Sequence, residues 1–227
     1  MTAPPLAAVL WDMDGTLVDT EPYWMGAETT LIESYGGTWS HEQALQLVGL
    51  GLEDSARILQ NAGVRMSEQA IVAHLTDAVM NRLREDGVPF RPGARELLSD
   101  LRAAGIKTGL VTMSLRRMAD TVVDLIDFEA FDIVIAGDES TRPKPFPDPY
   151  LQACEALGVT PSEVVAIEDS PNGLRSAVAS GAAVIGVPLM VSITGAGAHA
   201  VWPTLDGRTT ADVAAFHAAH RTRGEAR

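Results

Sequence analysis

Apolar residues occur in short runs, and most of these runs match either a strand or one face of a helix. Residues 6–11 form the first run, which stops at the polar sequence Asp12-Met13-Asp14-Gly15. A short apolar run that ends at turn-forming residues is typical of a buried β-strand. We therefore predict a strand over 6–11, with Asp12 in the turn that follows it.

Residues 19–88 carry helical signals and no clear strand pattern. Ser40, with Gln43 three positions later, is a capping-box pattern, and Ser67 is placed to cap a helix that ends near Gly87. The sequence therefore predicts an all-helical block over 19–88.

From residue 92 onward, predicted helices and strands alternate. The predicted helices cover 92–104, 115–126, 149–157, 173–180 and 210–220, and the predicted strands cover 106–111, 133–136, 164–167 and 183–187. Such alternation is typical of a parallel sheet with helices on both faces. We predict an α/β fold: a Rossmann-like, three-layer parallel-sheet core formed by 1–18 and 89–227, with an all-helical cap domain, 19–88, inserted after the first strand.

The residues that could carry chemistry follow the ends of predicted strands. These are Asp12 and Asp14 after the first strand, Thr112 and Ser114 after the second, Lys144 in the loop after the third, and Glu168-Asp169 after the fourth. The carboxyl ends of parallel strands share one edge of the sheet. We therefore expect four carboxylates, one ammonium and two hydroxyls to converge at that edge.

Four carboxylates in one place require a compensating cation. Two unit charges 4 Å apart repel by about 4 kcal/mol at an effective dielectric near 20. An all-oxygen, carboxylate-rich ligand set suits Mg²⁺, and a lysine with small hydroxyls beside it suits a phosphate dianion. A neutralised carboxylate can then attack phosphorus, while a second carboxyl protonates the leaving oxygen and later deprotonates water. The cluster predicts Mg²⁺-dependent phosphoryl chemistry.

Four segments, in order, resemble the four motifs of the haloacid dehalogenase superfamily. They are DMDGTLVDTE (12–21), VTMS (111–114), RPKPFPD (142–148) and IEDSPNG (167–173). The resemblance extends from about residue 6 to residue 188. It is closest to the branch with a helical cap after the first motif, which includes beta-phosphoglucomutases and small sugar-phosphate phosphatases.

This resemblance implies a reaction and the residues that perform it. Asp12 would be the nucleophile, Asp14 the general acid/base, and Lys144 the bridge between the phosphoryl group and Asp12. Thr112 would be a further catalytic residue that binds the phosphoryl group. The implied activity is hydrolysis of a small phosphorylated metabolite, such as a sugar phosphate, through an aspartyl-phosphate intermediate.

The resemblance also implies which residues bind the phosphate and the metal. The backbone at Met113 and Ser114 would bind the phosphoryl group together with Thr112. The residues that would hold Mg²⁺ are Asp12, Asp14 through its carbonyl, Glu168 and Asp169.

Two positions in the helical block bear on the substrate. In beta-phosphoglucomutases a cap-loop arginine and a cap lysine hold the distal phosphate, and a hinge histidine helps to gate the general acid/base. The matching loop and hinge positions here hold Leu52 and Trp24, and 19–88 contains no lysine. A phosphate left unpaired against apolar surface would cost several kcal/mol. We therefore predict a phosphatase in which Trp24 and Leu52 contact an uncharged sugar body.

Three alternatives stay open at this point. Arg57 or Arg65 could supply a cation from another turn, which would allow a phosphosugar mutase. A binding module could keep the fold without turnover. Trp24 could simply pack at the hinge between the cap and the core.

Composition limits the kinds of partner and compartment. The chain has 17 basic and 30 acidic residues and a formal net charge of −13, which argues against a nucleic-acid or membrane surface. The single cysteine, Cys154, excludes an internal disulfide and suits a reducing compartment. Since no signal peptide or membrane span is evident, we predict a monomeric cytoplasmic protein whose partner is the small metabolite.

A few further residues receive predictions of their own. The chain has only two lysines, so the position of Lys144 between two prolines indicates that its ammonium matters there. Cys154 is predicted to be a small core residue. The five histidines show no metal-ligand spacing, and we place His217 and His220 at the surface. A frayed tail is predicted over 221–227.

Overall fold

A parallel β-sheet forms the centre of the molecule, which a computed structural model describes over residues 5–224, with side chains to residue 220. Its strands within that range are β1 (Ala8–Trp11), β2 (Lys107–Val111), β3 (Ile133–Ile135), β4 (Val164–Glu168), β5 (Ala183–Gly186) and β6 (Ala200–Val201). Their order is β3-β2-β1-β4-β5-β6, and every neighbouring pair is parallel. Ala8 of β1 lies opposite Lys107 of β2 and Val164 of β4, so the carboxyl ends of these three strands lie at one edge.

The chain between β1 and the helix that precedes β2 contains helices and, among the described residues, no strand. These helices are α1 (Glu21–Ser34), α2 (His41–Ala44), α3 (Leu52–Asn61) and α4 (Glu68–Asp86). Ser40 and Gln43 form the capping box at the start of α2, and the Ser67 hydroxyl accepts the Ala70 N–H at the start of α4. The two helix starts that the sequence predicted are therefore present.

Helices cover both faces of the sheet. They are α5 (Ala94–Ala103), α6 (Arg116–Asp124) and α9 (Thr210–Gly224) on one face, and α7 (Asp148–Leu157) and α8 (Pro171–Ser180) on the other. Because alternate residues of a strand point to opposite faces, Val9 and Trp11 of β1 pack in one core cluster, while Ala8 and Leu10 pack in the other. The predicted α/β fold with a three-layer parallel-sheet core is confirmed.

Two chain crossings join helices α1–α4 to the sheet, and they lie side by side. Val18 forms an antiparallel bridge with Phe90, and the Asp19 N–H donates to the Pro89 carbonyl at 2.8 Å. The predicted domain boundaries fall at this pair of crossings, and the division into core and cap stays a prediction.

The carboxyl-terminal part of the chain differs from the sequence prediction. Strand β6 was not predicted, since two residues are too few to show a strand periodicity. The prediction that His217 lies at the surface is wrong: it is 2% exposed, and its Nε2 lies 2.9 Å from the Ser162 carbonyl oxygen. His217 follows Val213 and Phe216 on the buried side of α9, a pattern too weak to find by spacing alone.

Apart from α9, the remaining predicted elements are present with ends shifted by up to two residues. Helix α9 continues to Gly224, beyond the predicted end at residue 220, and the rest of the predicted tail, 225–227, lies outside the described residues. Cys154 is buried as predicted, and burial raises the pKa of its thiol to about 11. Within 5–224, no helix has both the length and the apolar character needed to cross a membrane.

Candidate active site

Lys144 connects the ends of β1 and β4 at the floor of a cavity between the sheet and helices α1–α4. Its Nζ donates to Asp12 Oδ1 at 2.7 Å, to Glu168 Oε1 at 2.6 Å and to the Val111 carbonyl at 2.9 Å. An ammonium has three donors, so all of them are used and the side chain is held in place. Lys144 is only 6% exposed, which rules out the ordinary role of a solvated loop lysine.

Glu168 is fully buried behind Lys144 and is closely enclosed. The Tyr150 hydroxyl donates to its Oε1 at 2.7 Å. A Cβ at Gly173 would lie 2.0 Å from both carboxylate oxygens, so the first turn of α8 requires a glycine there. The position of the Glu168 carboxylate is therefore set by the packing of α7 and α8.

The carboxylate oxygens of Asp12, Glu168 and Asp169 lie within 4.8 Å of one another. Burial raises the pKa of Asp12 to about 7, with Glu168 adding to the effect and Lys144 opposing it. Burial, followed by Asp12 and Glu168, also raises the pKa of Asp169 well above its ordinary value. Thr16 donates to Asp169 Oδ1 at 3.2 Å, and Gly15 lies so close that any Cβ would collide with this carboxylate. Carboxylate oxygens that lie close together, where burial disfavours their negative charge, suit a hard divalent cation such as Mg²⁺.

The side chain of Asp14 points away from this carboxylate cluster, toward helix α1. The Thr20 hydroxyl and the Trp24 indole N–H donate to Asp14 Oδ1 at 2.5 and 3.2 Å, and the Ser114 hydroxyl donates to Oδ2 at 2.7 Å. Sequence reasoning gave Trp24 a packing or substrate role and did not find this hydrogen bond. The signal was the spacing of Thr20 and Trp24, which places both on the same side of the first turns of α1.

The loop after β2 completes the floor of the cavity. Thr112 is buried at the end of β2, and its hydroxyl accepts the Ser114 N–H at 3.0 Å. The predicted site residues that line this one cavity are Asp12, Asp14, Trp24, Leu52, Thr112, Met113, Ser114, Lys144 and Asp169. The structure therefore brings the sequence-predicted residues together, with Glu168 directly behind them.

The helical block closes over this floor. The Asn172 side chain donates to the Gly49 carbonyl at 3.1 Å, and a Cβ at Gly49 would lie 2.8 Å from Ser170 Cβ. On another side, Arg117 of α6 forms an ion pair with Asp77 of α4. Residues within 19–88 therefore contact the rest of the molecule on two sides of the cavity.

Two acidic residues of α1 that the sequence analysis did not select also line the cavity. Glu21 and Glu28 are 8% and 5% exposed and lie on the same helix face as Trp24. Burial raises the pKa of Glu21 to about 8, with Asp14 and Glu28 adding to the effect. Burial raises the pKa of Glu28 to about 7, opposed by the N–H of Trp39, which donates to it at 3.2 Å. An acidic residue repeated at a spacing of seven on a buried helix face was the available signal.

The fold and the site together define an α/β enzyme with a helical insertion above a cavity lined by carboxylates and one lysine. The chain belongs to the haloacid dehalogenase-like hydrolase family, whose family model matches residues 9–187. The predicted superfamily and the predicted hydrolase class are therefore confirmed.

Several characterised proteins are similar over most of the chain. A phosphorylated carbohydrates phosphatase of Thermotoga maritima is 31% identical over 177 residues, which is 78% of this chain and 82% of that protein. Hexitol phosphatase B of Escherichia coli K12 is 30% identical over 191 residues, covering 82% of this chain and 86% of that protein. The crystal structure of a mutant of CbbY from Rhodobacter sphaeroides in complex with xylulose 1,5-bisphosphate matches with a TM-score of 0.81 and 26% identity, over 91% of this chain and 98% of that chain.

Proposed function

We propose that this enzyme is a Mg²⁺-dependent phosphatase that hydrolyses a sugar phosphate or a related small metabolite through an aspartyl-phosphate intermediate. The observation that carries the proposal is the position of Asp12, held by Lys144 beside Glu168 and Asp169 at the floor of the cavity. Two similar proteins, named for phosphorylated carbohydrates and for hexitols, support this substrate class.

The first half-reaction transfers the phosphoryl group to Asp12. A carboxylate oxygen of Asp12 attacks phosphorus, a new P–O bond forms, and the bond to the ester oxygen breaks. Asp14 gives its proton to that leaving oxygen. Thr112 and the backbone N–H groups of Met113 and Ser114 bind the phosphoryl oxygens, while the Lys144 ammonium offsets their negative charge.

The second half-reaction regenerates the enzyme. Asp14, now a carboxylate, takes a proton from water, and the resulting nucleophile attacks phosphorus and releases Asp12 and inorganic phosphate. Asp12, the Asp14 carbonyl, Glu168 and Asp169 would hold Mg²⁺, which would supply positive charge to offset the negative charge of the reacting groups. The hydrogen bonds from Thr20 and Trp24 keep the Asp14 carboxyl on the side of the cavity away from the metal ligands.

Hydrolysis is favoured over a phosphosugar mutase because the cap offers no free cation to the cavity. Arg57 is bound by Asp54 and Glu68, Arg65 is exposed, and neither lines the cavity. Leu52 also lines an adjoining cavity with Arg57, where the guanidinium is already paired with Asp54 and Glu68 and so is not free to bind a second phosphate.

We also propose that 19–88 acts as a cap domain on a core formed by 1–18 and 89–227. The paired crossings at Val18 and Phe90 would be the hinges. Lids of this kind exclude water and complete a site when they close. A cytoplasmic location, a monomeric state and the absence of a nucleic-acid or membrane partner stay predictions from composition.

The test is phosphate release from a panel of phosphorylated sugars and small acids, with Mg²⁺ and with a chelator. We expect Mg²⁺-dependent release by the wild type and by the exposed control Asp124→Asn, and no release by Asp12→Asn. Circular dichroism checks that the variants fold. Activity of Asp12→Asn within about tenfold of wild type, a barrier change of about 1.4 kcal/mol, would remove Asp12 as the nucleophile.

The mutase alternative needs its own assay. The protein is incubated with beta-glucose 1-phosphate and a bisphosphorylated sugar primer, and both products are followed. A phosphatase releases inorganic phosphate, whereas glucose 6-phosphate that forms faster than inorganic phosphate would establish a mutase.

A further inference from the structure

Helix α1 presents two carboxyl groups to the cavity: Glu21, which is close enough to Asp14 and Asp12 for their charges to raise its pKa, and Glu28, two turns further along the helix. Glu21 and Glu28 are seven positions apart, so helical rise places their Cα atoms about 10 Å from each other on one face. Both are more than nine-tenths buried. Within residues 5–220, no hydrogen bond reaches the Glu21 carboxyl, and Glu28 is bonded only through one oxygen to Trp39.

The fold alone gives little reason to bury these two groups. A buried carboxyl without hydrogen-bond partners destabilises the folded state, and the pKa values of both groups are raised accordingly. The helix dipole can stabilise an acid in the first turn, where Glu21 lies, but Glu28 is two turns further along. Carboxyl oxygens without partners that face a cavity are placed to accept hydrogen bonds from a ligand.

The charge of the cavity restricts which ligand this can be. Among the side chains lining the cavity, five are acidic (Asp12, Asp14, Glu21, Glu28 and Asp169) and one, Lys144, is cationic. Lys144 is already bound to Asp12 and Glu168. A second anionic group placed beside Glu21 or Glu28 would meet like charge, whereas hydroxyl groups would supply the missing donors.

We propose that Glu21 and Glu28 form a polyol subsite, in which they accept hydrogen bonds from the hydroxyl groups of an uncharged sugar or sugar-alcohol chain. The subsite rests on the proposed function, since it orients a substrate whose phosphate lies at Asp12. Trp24 lies between the two acids on the same face and presents apolar surface to the carbon chain. The same acids exclude substrates that carry a second phosphate or a carboxylate.

The test compares three phosphate esters in wild type and in the near-isosteric variants Glu21→Gln, Glu28→Gln and their double variant. Glucitol 6-phosphate carries a polyol, phosphoglycolate carries a second anion, and p-nitrophenyl phosphate carries neither. Glu33→Gln, on the exposed side of the same helix, is the matched control. Circular dichroism and thermal unfolding check that each variant folds.

We expect wild type to prefer glucitol 6-phosphate over phosphoglycolate in kcat/KM. In the double variant this preference should fall at least tenfold, chiefly through KM, because glutamine accepts hydrogen bonds less strongly and repels an anion less. Since p-nitrophenyl phosphate has no hydroxyl chain for this subsite, its kcat/KM should fall less than that of glucitol 6-phosphate. The control variant should match wild type for all three esters.

Several results would overturn the polyol subsite. One is that the double variant keeps the wild-type preference for glucitol 6-phosphate over phosphoglycolate, and another is that wild type prefers phosphoglycolate. A third is that wild type prefers glucosamine 6-phosphate to glucitol 6-phosphate tenfold, which would indicate a subsite for an ammonium group. If wild type hydrolyses none of the esters, the proposed function fails. Calorimetric binding of glucitol 6-phosphate to wild type and to the double variant then decides the subsite separately: it stands if only wild type binds and falls if binding is equal or absent.

Discussion

Replacing Glu28 by glutamine should stabilise the folded protein at alkaline pH. Glu28 is 5% exposed, and burial raises its pKa from 4.5 to about 7 despite the hydrogen bond from Trp39. The folded protein therefore holds the Glu28 proton more tightly than the unfolded chain does. Stability from this group is fully present below pH 4.5 and is lost as the pH rises through 7.

The size of the effect follows from the difference between the two pKa values. Each pKa unit corresponds to about 1.4 kcal/mol, so a rise from 4.5 to about 7 costs about 3 kcal/mol at pH 8. At pH 5 most of this cost has not yet developed, and about 1 kcal/mol applies. Glutamine has no charge to bury, and its side-chain oxygen can still accept the Trp39 N–H. Glu28→Gln should therefore gain about 2 kcal/mol more at pH 8 than at pH 5.

The assay is urea unfolding at pH 5 and pH 8, followed by circular dichroism. Mg²⁺ and phosphate are left out, because ligands that bind only the folded state would mask the difference. Glu33→Gln on the exposed side of α1 serves as the control and should show no pH-dependent gain. An equal change at both pH values, or a loss at pH 8, would refute the assignment of a costly buried charge to Glu28.

Three further substitutions test the site. Trp24→Phe removes the N–H that binds Asp14 and should lower kcat for a sugar phosphate about tenfold. The kcat for p-nitrophenyl phosphate should fall much less, since its leaving group needs little protonation. An equal loss for both esters would contradict this role. Gly173→Ala forces a Cβ against the Glu168 carboxylate, so it should lower the melting temperature and also the affinity for Mg²⁺ measured by titration. Wild-type values for both quantities would contradict the predicted clash. Arg117→Ala removes the polar contacts of this side chain with Asp77 and Ala73 of α4, so it should raise both KM and the radius of gyration from solution scattering. Unchanged scattering would argue against a role of Arg117 in holding α4 over the cavity.

The sheet and its catalytic edge could be predicted because each strand appears as an apolar run and the candidate site residues directly follow the strand ends. β1 is buried on both faces, so it appears in the sequence as an unbroken apolar run. The polar residues that follow β1, β2 and β4 must then lie at one edge, whatever the details of packing. Lys144 could be assigned to the same edge because it lies in the loop after β3, and the structure places its Nζ 2.7 Å from Asp12.

The part of the site that α1 contributes could not be predicted in the same way. Its residues come from one helix face, and a carboxyl on a helix is usually a solvated surface group. Glu21 and Glu28 are buried because α1 packs against α4 and lines the cavity, which no local pattern reveals. The hydrogen bond from Trp24 to Asp14 likewise depends on the angle at which α1 leaves the hinge. The burial of the two acids and the hydrogen bond of Trp24 therefore depend on tertiary packing and not on local sequence.

The raised pKa values on both sides of the cavity have one physical origin. Asp12 and Asp169 on the floor, and Glu21 and Glu28 on α1, all lie in surroundings that disfavour their charged forms. Lys144 is the only cation lining the cavity among the described residues, and it is bound to Asp12 and Glu168. The floor therefore has more negative than positive charge, and the Glu21 and Glu28 carboxyls have fewer hydrogen-bond donors than they can accept. A divalent cation and a polyol phosphate would supply the positive charge and the donors, so the same arrangement that costs stability in the free protein would favour binding of both.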